Sequence, residues 1–448
     1  MSARRVLVVG LGVTGEAVVR HALRAGHDVT VIEDRPGGVP APKGVTLVEA
    51  PDEERAGALA RAADVVVPSP GVPERHAALR AAAAAGIPVH SEVEVAGLEA
   101  SCPIVAITGT NGKTTVTTLA TAMLERSGRR AVAAGNIGRP LLDAVHDDAD
   151  LIVAEVSSFQ LRFTESFRPR VAVLLNVAED HLDWHADFDA YARAKARLFA
   201  NQRDGDLLVF GADDPVAARL AAGGPARRVG FRAVPGRPGV AFDGDPLGAT
   251  AHAALDVVPG FPERRPVDRA NAAAAAVAAL DVGGTPEGVR SALEAFRGLP
   301  HRLQLVGEVA GVRYFDDSKA TNPHATRCAV EGFERVVLLA GGRNKGLDLA
   351  ALRPIASRLR AVVALGEAAP DVRRAFEGVV RTVTAGSMRE AVRLAAERAR
   401  PGDVVLLSPA CASFDWYRDY GARGDDFASE VAQLPLAATT TGRDRHGD

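Results

Sequence analysis

Short apolar runs bounded by glycine alternate with Ala-rich or amphipathic stretches along almost the whole chain. The first run, RVLVV, is followed by a glycine turn and by a stretch of helical periodicity that ends near Arg24. Apolar runs of strand length separated by helical stretches are typical of parallel sheets covered by helices. The pattern therefore predicts an α/β fold.

The alternation starts afresh twice, which predicts three domains. A Rossmann-like domain is expected over residues 1–91, a central P-loop ATPase-like domain with a mostly parallel sheet over 92–298, and a second Rossmann-like domain over 299–448. The chain is expected to be disordered from about residue 436 onward.

The same pattern places individual elements. Helices are predicted at Glu74–Ala85, Thr114–Arg126, 269–280 and 286–296, and strands at 28–33, 151–157, 171–176 and 207–211. The Gly- and Pro-rich stretch 233–263 is expected to form loops or short antiparallel strands, and GLPHR at 298–302 is expected to be a linker.

Composition narrows the class of protein. The chain has 448 residues, a net charge of −3, 24% charged and 47% hydrophobic residues, a globular balance with no basic surface for nucleic acid. Its three cysteines, Cys102, Cys328 and Cys411, share no metal spacing, which suits a reducing cytoplasm. The alanine runs are far shorter than the ~18 apolar residues of a membrane span, so no membrane insertion is expected.

GLGVTG, near the start of the chain, has the glycine spacing of a dinucleotide fingerprint at Gly10, Gly12 and Gly15. Glu33 and Asp34 end the next strand, where an acidic residue would bind the ribose of NAD. The spacing requires only a tight turn and a phosphate at a helix N-terminus, so NAD and a different nucleotide diphosphate both fit.

GTNGKTT (109–115) lies between a strand and a helix and indicates a phosphate-binding loop, although the usual spacing would place glycine at Ile107. Backbone amides would cradle phosphates, Lys113 would reach the terminal phosphate, and the Thr114 hydroxyl would ligate Mg²⁺. Glu155 ends a strand at the carboxyl edge of the same sheet, where it is either a solvated strand end, the reading that this residue alone favours, or a Mg²⁺ ligand beside the loop.

Further polar residues follow other strands. EDHLDWH (179–185) places His181 in an acidic cluster, where it is either a structural residue or a metal ligand. Lys195, by its surroundings in sequence, reads as a surface lysine. Three strand-to-loop junctions of the last domain together favour a binding site, and their polar residues include Asp317, Lys319, Thr321, Lys345 and Ser413.

From about residue 5 to about 435 the chain resembles the Mur ligases of peptidoglycan synthesis, and within them the branch that adds glutamate. GTNGKTT resembles their ATP loop, a variant without the first Walker glycine. The sister branch that adds alanine carries AHHP where this chain has DSKATNP. The motifs that carry the resemblance are GLGVTG, PSPGV, ITGTNGKTT, GNIG, EVSSFQL, EDHLDWH, AKARLF, LPHR, DDSKATNP and SPACASFD.

The resemblance implies roles for individual positions. The UDP-substrate is expected to contact Val13, Thr14, Asp34, Arg35, Ser69, Pro70, Gly71 and Asn136. ATP is expected to contact Gly109, Thr110, Asn111, Gly112, Lys113, Thr114, Thr115, Asn271, Arg302 and Asp317. Glutamate is expected to contact Lys319, Thr321, Lys345, Ser413 and Tyr420, the last being Tyr where Phe is familiar. Two Mg²⁺ sites are expected from Thr114, Glu155, His181 and a carbamylated Lys195. Catalytic roles are expected for Lys113, His181, Lys195 and Lys319.

The implied activity is that of a cytoplasmic, monomeric, ATP-dependent ligase that adds D-glutamate to UDP-N-acetylmuramoyl-L-alanine through an acyl phosphate. Its partners would be these small molecules. The same residues leave open the addition of L-glutamate to that acceptor, a nicotinamide-dependent dehydrogenase and a noncatalytic nucleotide-binding regulator. Folylpolyglutamate synthases share the ATP core, but GLGVTG and PSPGV favour a UDP-sugar domain.

Overall fold

The computed structural model describes residues 3–37, 42–233, 239–261 and 264–435. The chain forms two compact units. The first comprises Met1–Ala178 with Trp184–Phe296, and the second comprises Glu179–Asp183 with Arg297–Asp448. Within the described ranges, no helix combines the length and the apolar character needed to cross a membrane. The tail predicted to be disordered lies outside these ranges.

The first unit opens with a parallel sheet that has four strands in the described chain, in the order β3-β2-β1-β4. Its strands are β1 (Arg5–Val9), β2 (Asp28–Glu33), β3 (Thr46–Glu49) and β4 (Val65–Pro68), and its helices are α1 (Val13–Arg24), α2 (Glu53–Ala62) and α3 (Ala77–Ala85). The prediction that a helix begins at Glu74 is wrong. It begins at Ala77, because the His76 imidazole accepts a hydrogen bond from the amide of Ala78 and caps the helix there.

The second sheet of this unit has seven strands in the described residues, in the order β11-β10-β9-β8-β5-β7-β6, and only the β10–β11 pair is antiparallel. Its strands are β5 (Ile104–Thr108), β6 (Ala131–Gly135), β7 (Leu151–Glu155), β8 (Val171–Leu174), β9 (Leu207–Gly211), β10 (Arg227–Arg232) and β11 (Ala241–Gly244). Its helices are α4 (Glu92–Glu99), α5 (Lys113–Arg126), α6 (Leu141–Ala144), α7 (Ser158–Arg162), α8 (Phe188–Ala196) with a 3₁₀ turn at Arg197–Phe199, α9 (Pro215–Ala221), α10 (Leu247–Asp256), α11 (Pro266–Asp281) and α12 (Pro286–Ala295).

The stretch 233–263 was expected to hold no helix, and that prediction is wrong. Strand β11 lies there as expected, but α10 follows it. Gly248 within α10 packs against Phe242, since a Cβ at this glycine would lie 2.6 Å from the Phe242 Cβ. The glycine is needed for close packing, so it does not interrupt the helix. Residues 234–238 and 262–263 of this stretch lie outside the described residues.

The second unit contains the third sheet, in the order β12-β13-β17-β14-β15-β16 for the described residues, with β12 antiparallel to β13. Its strands are β12 (Gln304–Val309), β13 (Val312–Asp316), β14 (Val336–Gly341), β15 (Leu359–Leu365), β16 (Thr382–Thr384) and β17 (Val404–Leu407). Its helices are α13 (Pro323–Glu331), a 3₁₀ segment at Leu349–Arg358, α14 (Ala369–Phe376), α15 (Met388–Ala396) and α16 (Tyr420–Ala432).

Helices cover both faces of the central strands, which is why these strands are apolar up to their last residues, such as Thr108 in β5 and Glu155 in β7. In β5, Val105 and Ile107 belong to one core cluster and Ile104 and Ala106 to another. The alternation of side chains along a strand sends them to opposite faces. The three sheets confirm the predicted α/β class and three-domain architecture, with the first two sheets in one compact unit. The boundaries 1–91, 92–298 and 299–448 stay predictions.

Candidate active site

The phosphate loop joins the end of β5 to the start of α5 and depends on two glycines. A Cβ at Gly109 would lie 2.9 Å from the Leu175 Cβ, and one at Gly112 would lie 2.6 Å from the Asn271 Oδ1. Gly112 is the N-cap of α5, has φ of 91° and offers no side chain to cap the first amides. The amides at the start of this helix are therefore suited to an anion.

Two lysines converge on one carbonyl of this loop. The Nζ atoms of Lys113 and Lys195 each donate to the oxygen of Gly109, both at 2.8 Å. Lys113 also donates to the oxygen of Thr110 at 3.0 Å. Lys195 is only 1% exposed and lies over the Tyr191 ring, 4.5 Å from its centroid. The sequence surroundings of Lys195 indicate a surface lysine, and that prediction is wrong because the residue is buried.

Glu155 lies beside the phosphate loop, because it pairs in register with Ile107 at the ends of β7 and β5. It is buried, and its Oε1 accepts a hydrogen bond from the Asn136 Nδ2 at 2.9 Å. Its buried Oε2 has no hydrogen-bond partner among the described residues. A buried carboxylate oxygen without a donor is suited to a hard cation, so the residues present fit Mg²⁺. Thr114 and Thr115 lie half-buried on the first turn of α5.

His185, also in the acidic motif, is buried near Lys195. One of its ring nitrogens, Nε2, lies 3.0 Å from the Ser158 Oγ. Burial, with smaller contributions from the charges of Lys195 and Arg162, lowers the pKa of His185 to about 4. The imidazole is therefore neutral at pH 7.

The GLGVTG loop of the first sheet is tightly packed, and a hydroxyl from outside the loop holds it in place. A Cβ at Gly15 would lie 2.1 Å from the Gly10 oxygen, and the Ser69 hydroxyl donates to that oxygen at 2.7 Å. Residues Ser69, Pro70 and Gly71 follow β4, which is paired with β1. The structure thus brings them to the sheet edge at which Val13 and Thr14 begin α1.

Glu33, at the position where an acidic residue would bind an NAD ribose, is already engaged. Its Oε2 accepts from the Leu11 amide at 2.9 Å, and its Oε1 accepts from the Arg35 amide at 3.1 Å. Burial alone would raise the pKa of Glu33, but these hydrogen bonds and the Arg35 guanidinium bring it below its usual value. Asp34 and the Arg35 side chain are exposed, with Asp34 3.3 Å from the His76 ring.

In the second unit, the loop after β13 is fixed by hydrogen bonds. Asp317 accepts from the Leu303 amide at 3.2 Å and from the Ser408 hydroxyl at 2.9 Å. The Lys319 Nζ lies 3.9 Å from the centroid of the Tyr420 ring, in a cation–π contact. Arg302 and Thr321 are half-buried nearby in sequence.

Lys345 forms an ion pair with Asp180, which is buried. Asp180 also accepts from the Asn322 Nδ2 at 3.0 Å, and the His181 Nε2 lies 3.6 Å from it. Burial alone would raise the pKa of Asp180, but the charges of Lys345 and His181 hold it below its usual value. Ser413 is buried, and its loop is joined to that of Lys345 by hydrogen bonds between Arg343 and Ala412 at 2.9 and 3.0 Å.

Three family comparisons match successive parts of the chain. The Mur ligase MurD-like N-terminal domain matches residues 4–91, the Mur ligase middle domain matches 107–232, and the Mur ligase glutamate ligase domain matches 301–411. A UDP-N-acetylmuramoylalanine--D-glutamate ligase of Desulfosudis oleivorans is 46% identical, over 96% of this chain and 96% of its own. Another of the same name from Pelotomaculum thermopropionicum is 42% identical, over 96% of this chain and 98% of its own.

The chain belongs to the Mur ligase family.

Solved structures show the same fold as this Mur ligase. The MurF ligase of Thermotoga maritima, in complex with ADP, superposes with a TM-score of 0.56 at 17% identity, covering 96% of each chain. The UDP-N-acetylmuramate-alanine ligase of the same organism superposes with a TM-score of 0.53 at 18% identity, covering 96% of this chain and 99% of its own.

Two residues of this Mur ligase that shape the candidate site were not predicted. Asn176 fixes the phosphate loop, since its Oδ1 accepts from the Asn111 amide at 2.9 Å and its Nδ2 donates to the Asn111 oxygen at 3.1 Å. A polar residue two positions after the end of β8 was the available signal. Arg423 is buried and donates to the oxygens of Ser318 at 2.8 Å and Cys411 at 3.2 Å. Burial lowers its pKa to about 10. No sequence motif marked it.

Proposed function

We propose that this Mur ligase adds D-glutamate to UDP-N-acetylmuramoyl-L-alanine with ATP. The observation that carries the proposal is the convergence of Lys113 and Lys195 on the phosphate loop beside the buried, half-satisfied carboxylate of Glu155. The names of the relatives, which align over almost the full chain, support the choice of acceptor and amino acid.

The proposed reaction overcomes the inertness of a carboxylate toward an amine. The alanyl carboxylate takes the terminal phosphoryl group of ATP, and ADP leaves. The neutral glutamate amine then attacks the carbonyl carbon, and the carbon–oxygen bond to phosphate breaks. The nitrogen gives up one proton, which the departing phosphate can take, and inorganic phosphate is released with the amide. Positive charge on the enzyme is needed where the anionic groups meet, and Lys113 supplies it at the phosphates.

The ATP site is proposed at the phosphate loop, with Gly109–Thr115 around the phosphates. Asn271 contacts the loop at Gly112 and is proposed to reach the nucleotide, as are Arg302 and Asp317. Glu155 and Thr114 would hold Mg²⁺, which supplies charge neutralisation to the phosphates. His181 and carbamylated Lys195 are proposed for a second Mg²⁺.

Carbamylation of Lys195 is supported by its burial and by its position next to a second lysine. Burial penalises a charged ammonium, and only a neutral amine reacts with CO₂. The product is an anion with oxygen ligands, the kind that Mg²⁺ prefers. The modification would therefore remove one of two cations gathered at the Gly109 carbonyl.

The first sheet is proposed to hold the UDP part of the acceptor. Val13, Thr14 and Ser69–Gly71 offer backbone and hydroxyl groups at one sheet edge, Asp34 and Arg35 offer exposed charges, and Asn136 would contact the muramoyl part. The engagement of Glu33 by the loop disfavours the nicotinamide alternative. Domain limits at residues 91 and 298, a cytoplasmic location and a monomeric state are part of the same proposal.

Glutamate is proposed to bind in the second unit. Lys345 and Ser413 offer an ammonium and a hydroxyl on adjoining loops, which suit an amino acid with two carboxylates. Thr321 and Tyr420 complete the contacts, and Lys319, held against the Tyr420 ring, would act on the incoming amino acid.

The test is phosphate release with purified enzyme, ATP, Mg²⁺, the acceptor and each glutamate enantiomer in turn. We expect release only when acceptor and D-glutamate are both present. Lys113→Ala should lower the rate about a hundredfold or more, whereas Arg126→Ala, at the exposed far end of the same helix, should leave it unchanged. Equal rates with both enantiomers, or release without acceptor, would overturn the assignment.

A further inference from the structure

Three side chains that commonly ligate metals meet in the first unit, away from the phosphate loop. His21 lies on α1, Glu99 is the last residue of α4, and His146 follows α6. The His21 Nε2 is 2.9 Å from one carboxylate oxygen of Glu99, and the His146 Nε2 is 3.8 Å from the other. The three residues are far apart in sequence, so the fold alone brings them together.

The spacing of their ligand atoms is close to that of a metal site. One ligand atom from each residue lies within 4.8 Å of the other two. A tetrahedral ion with bonds of about 2.0–2.1 Å holds its ligand atoms roughly 3.3 Å apart. Rotations of side chains would close the remaining difference, because His146 and Glu99 are partly exposed and able to move. The His21 and His146 rings are nearly parallel, 13° apart, with centroids separated by 5.8 Å.

Glu99 is the negative group that acts on His21. The other charges that act on this imidazole are those of His146, Arg24 and His27. The His21 side chain is only 12% exposed, so one ligand of the cluster is sheltered from water. Two imidazoles and one carboxylate are the ligands that borderline divalent ions such as Zn²⁺ take, with water in the fourth position.

We propose that His21, Glu99 and His146 form a binding site for a divalent cation of the zinc class. The ion would join α1, which begins at the GLGVTG loop, to α4 and to the segment after α6, and so link elements that pack on two different sheets. This site is distinct from the proposed Mg²⁺ ligands and does not depend on the proposed reaction.

The test uses Co²⁺ as the probe, because its visible absorption reports tetrahedral coordination. Full-length protein, kept in excess Mg²⁺ and ADP to fill the nucleotide site, is titrated with Co²⁺, and bound metal is counted by equilibrium dialysis. We expect a tetrahedral spectrum and one bound ion that His146→Ala weakens about tenfold or more. His252→Ala serves as the matched control, since it removes another exposed histidine, one that pairs with Asp256 at 3.0 Å.

Loss of the fold cannot mimic this result, because His146 is 41% exposed and its replacement removes no core packing. Co²⁺ should raise the melting temperature of the wild type and of His252→Ala but not that of His146→Ala. Identical spectra and stoichiometry in the wild type and His146→Ala would overturn the site and leave the cluster as a hydrogen-bonded surface network.

Discussion

The proposed chemistry requires Lys195 to carry a carbamate and to act as an anion. If it works as a carbamate, Lys195→Ala should lose most activity, and acetate or formate should restore part of it by filling the vacated space with a carboxylate. The same acids should not restore Lys113→Ala, because that residue acts as a cation. The measurement is phosphate release against acid concentration. An unmodified Lys195 in the mass spectrum of fully active enzyme would contradict the carbamate.

Arg35 has an exposed side chain at the edge of the first sheet, where the UDP group is proposed to bind. A hydrogen bond to a charged group contributes roughly 1.5–3 kcal/mol. Arg35→Ala should therefore raise the KM for the UDP-substrate about tenfold or more and leave the KM for ATP unchanged. Arg80→Ala is the matched control, since Arg80 is an exposed arginine of the same domain paired with Glu53. A larger effect on ATP than on the acceptor would refute the assignment.

Lys345 is proposed to bind glutamate, and it also forms an ion pair with Asp180. Lys345→Ala should reduce kcat/KM for glutamate by a factor that corresponds to a free energy on the order of 2–4 kcal/mol. If the role is in recognition, the KM for glutamate should rise while the KM for ATP stays the same. A uniform loss for all substrates, reproduced by Asp180→Asn, would mean that Lys345 only supports the loop.

Among the helices, α4 carries two buried glutamates whose pKa values shift in opposite directions. Glu92 accepts from the Leu142 amide at 2.5 Å, but its Oε2 has no partner among the described residues, and burial raises its pKa to about 7. Glu94 accepts from the amides of Glu165, Ser166 and Phe167 at 2.8–3.0 Å. Burial opposes these bonds, yet they bring the pKa of Glu94 below its usual value.

A pKa that differs between the folded and unfolded states makes the free energy of unfolding depend on pH. The two glutamates therefore have opposite effects on this pH dependence. Because the folded pKa of Glu92 is raised, ionisation of this carboxyl lowers the free energy of unfolding as pH rises from about 4.5 to about 7. Glu92→Gln should therefore be more stable than the wild type at pH 8, by up to about 2–3 kcal/mol, and close to it at pH 4.5.

Glu94→Gln should behave in the opposite sense. Its folded pKa is depressed, so its contribution is present above the unfolded pKa and is lost as pH falls through the folded one. The substitution should destabilise the protein at pH 8, and the difference from the wild type should shrink in acid. Because the Glu94 difference should shrink only below about pH 4.5, thermal melting of both variants from about pH 3 to pH 8 tests the pair. Parallel curves for the two variants would contradict it.

The strands were more predictable from sequence than the helices. Central strands such as β5 and β14 are covered on both faces and therefore consist of continuous apolar runs. The limits of helices depend on single contacts, as at His76, which moved the start of α3. Helix α10 was missed because its glycine and the neighbouring prolines suggest a loop, whereas packing against Phe242 decides the outcome.

For the whole molecule, the order of the strands within each sheet could not be predicted from the sequence. Strand β5 lies between β8 and β7, an arrangement set by crossover connections and not by any local pattern. Motifs at strand ends did indicate most candidate site residues, since parallel strands present their carboxyl ends at one edge. Arg423 was out of reach because burial alone distinguishes it from a surface arginine on an amphipathic helix.

The proposed reaction activates a carboxylate by phosphorylation before it is joined to D-glutamate. Its most direct test is a turnover with UDP-N-acetylmuramoyl-L-alanine carrying ¹⁸O in both oxygens of the alanyl carboxylate, with ATP, Mg²⁺ and D-glutamate. Mass spectrometry of the released phosphate and of the amide product follows the label. We expect one ¹⁸O atom in the phosphate and one in the new amide carbonyl. Phosphate without label, or no amide product, would contradict it.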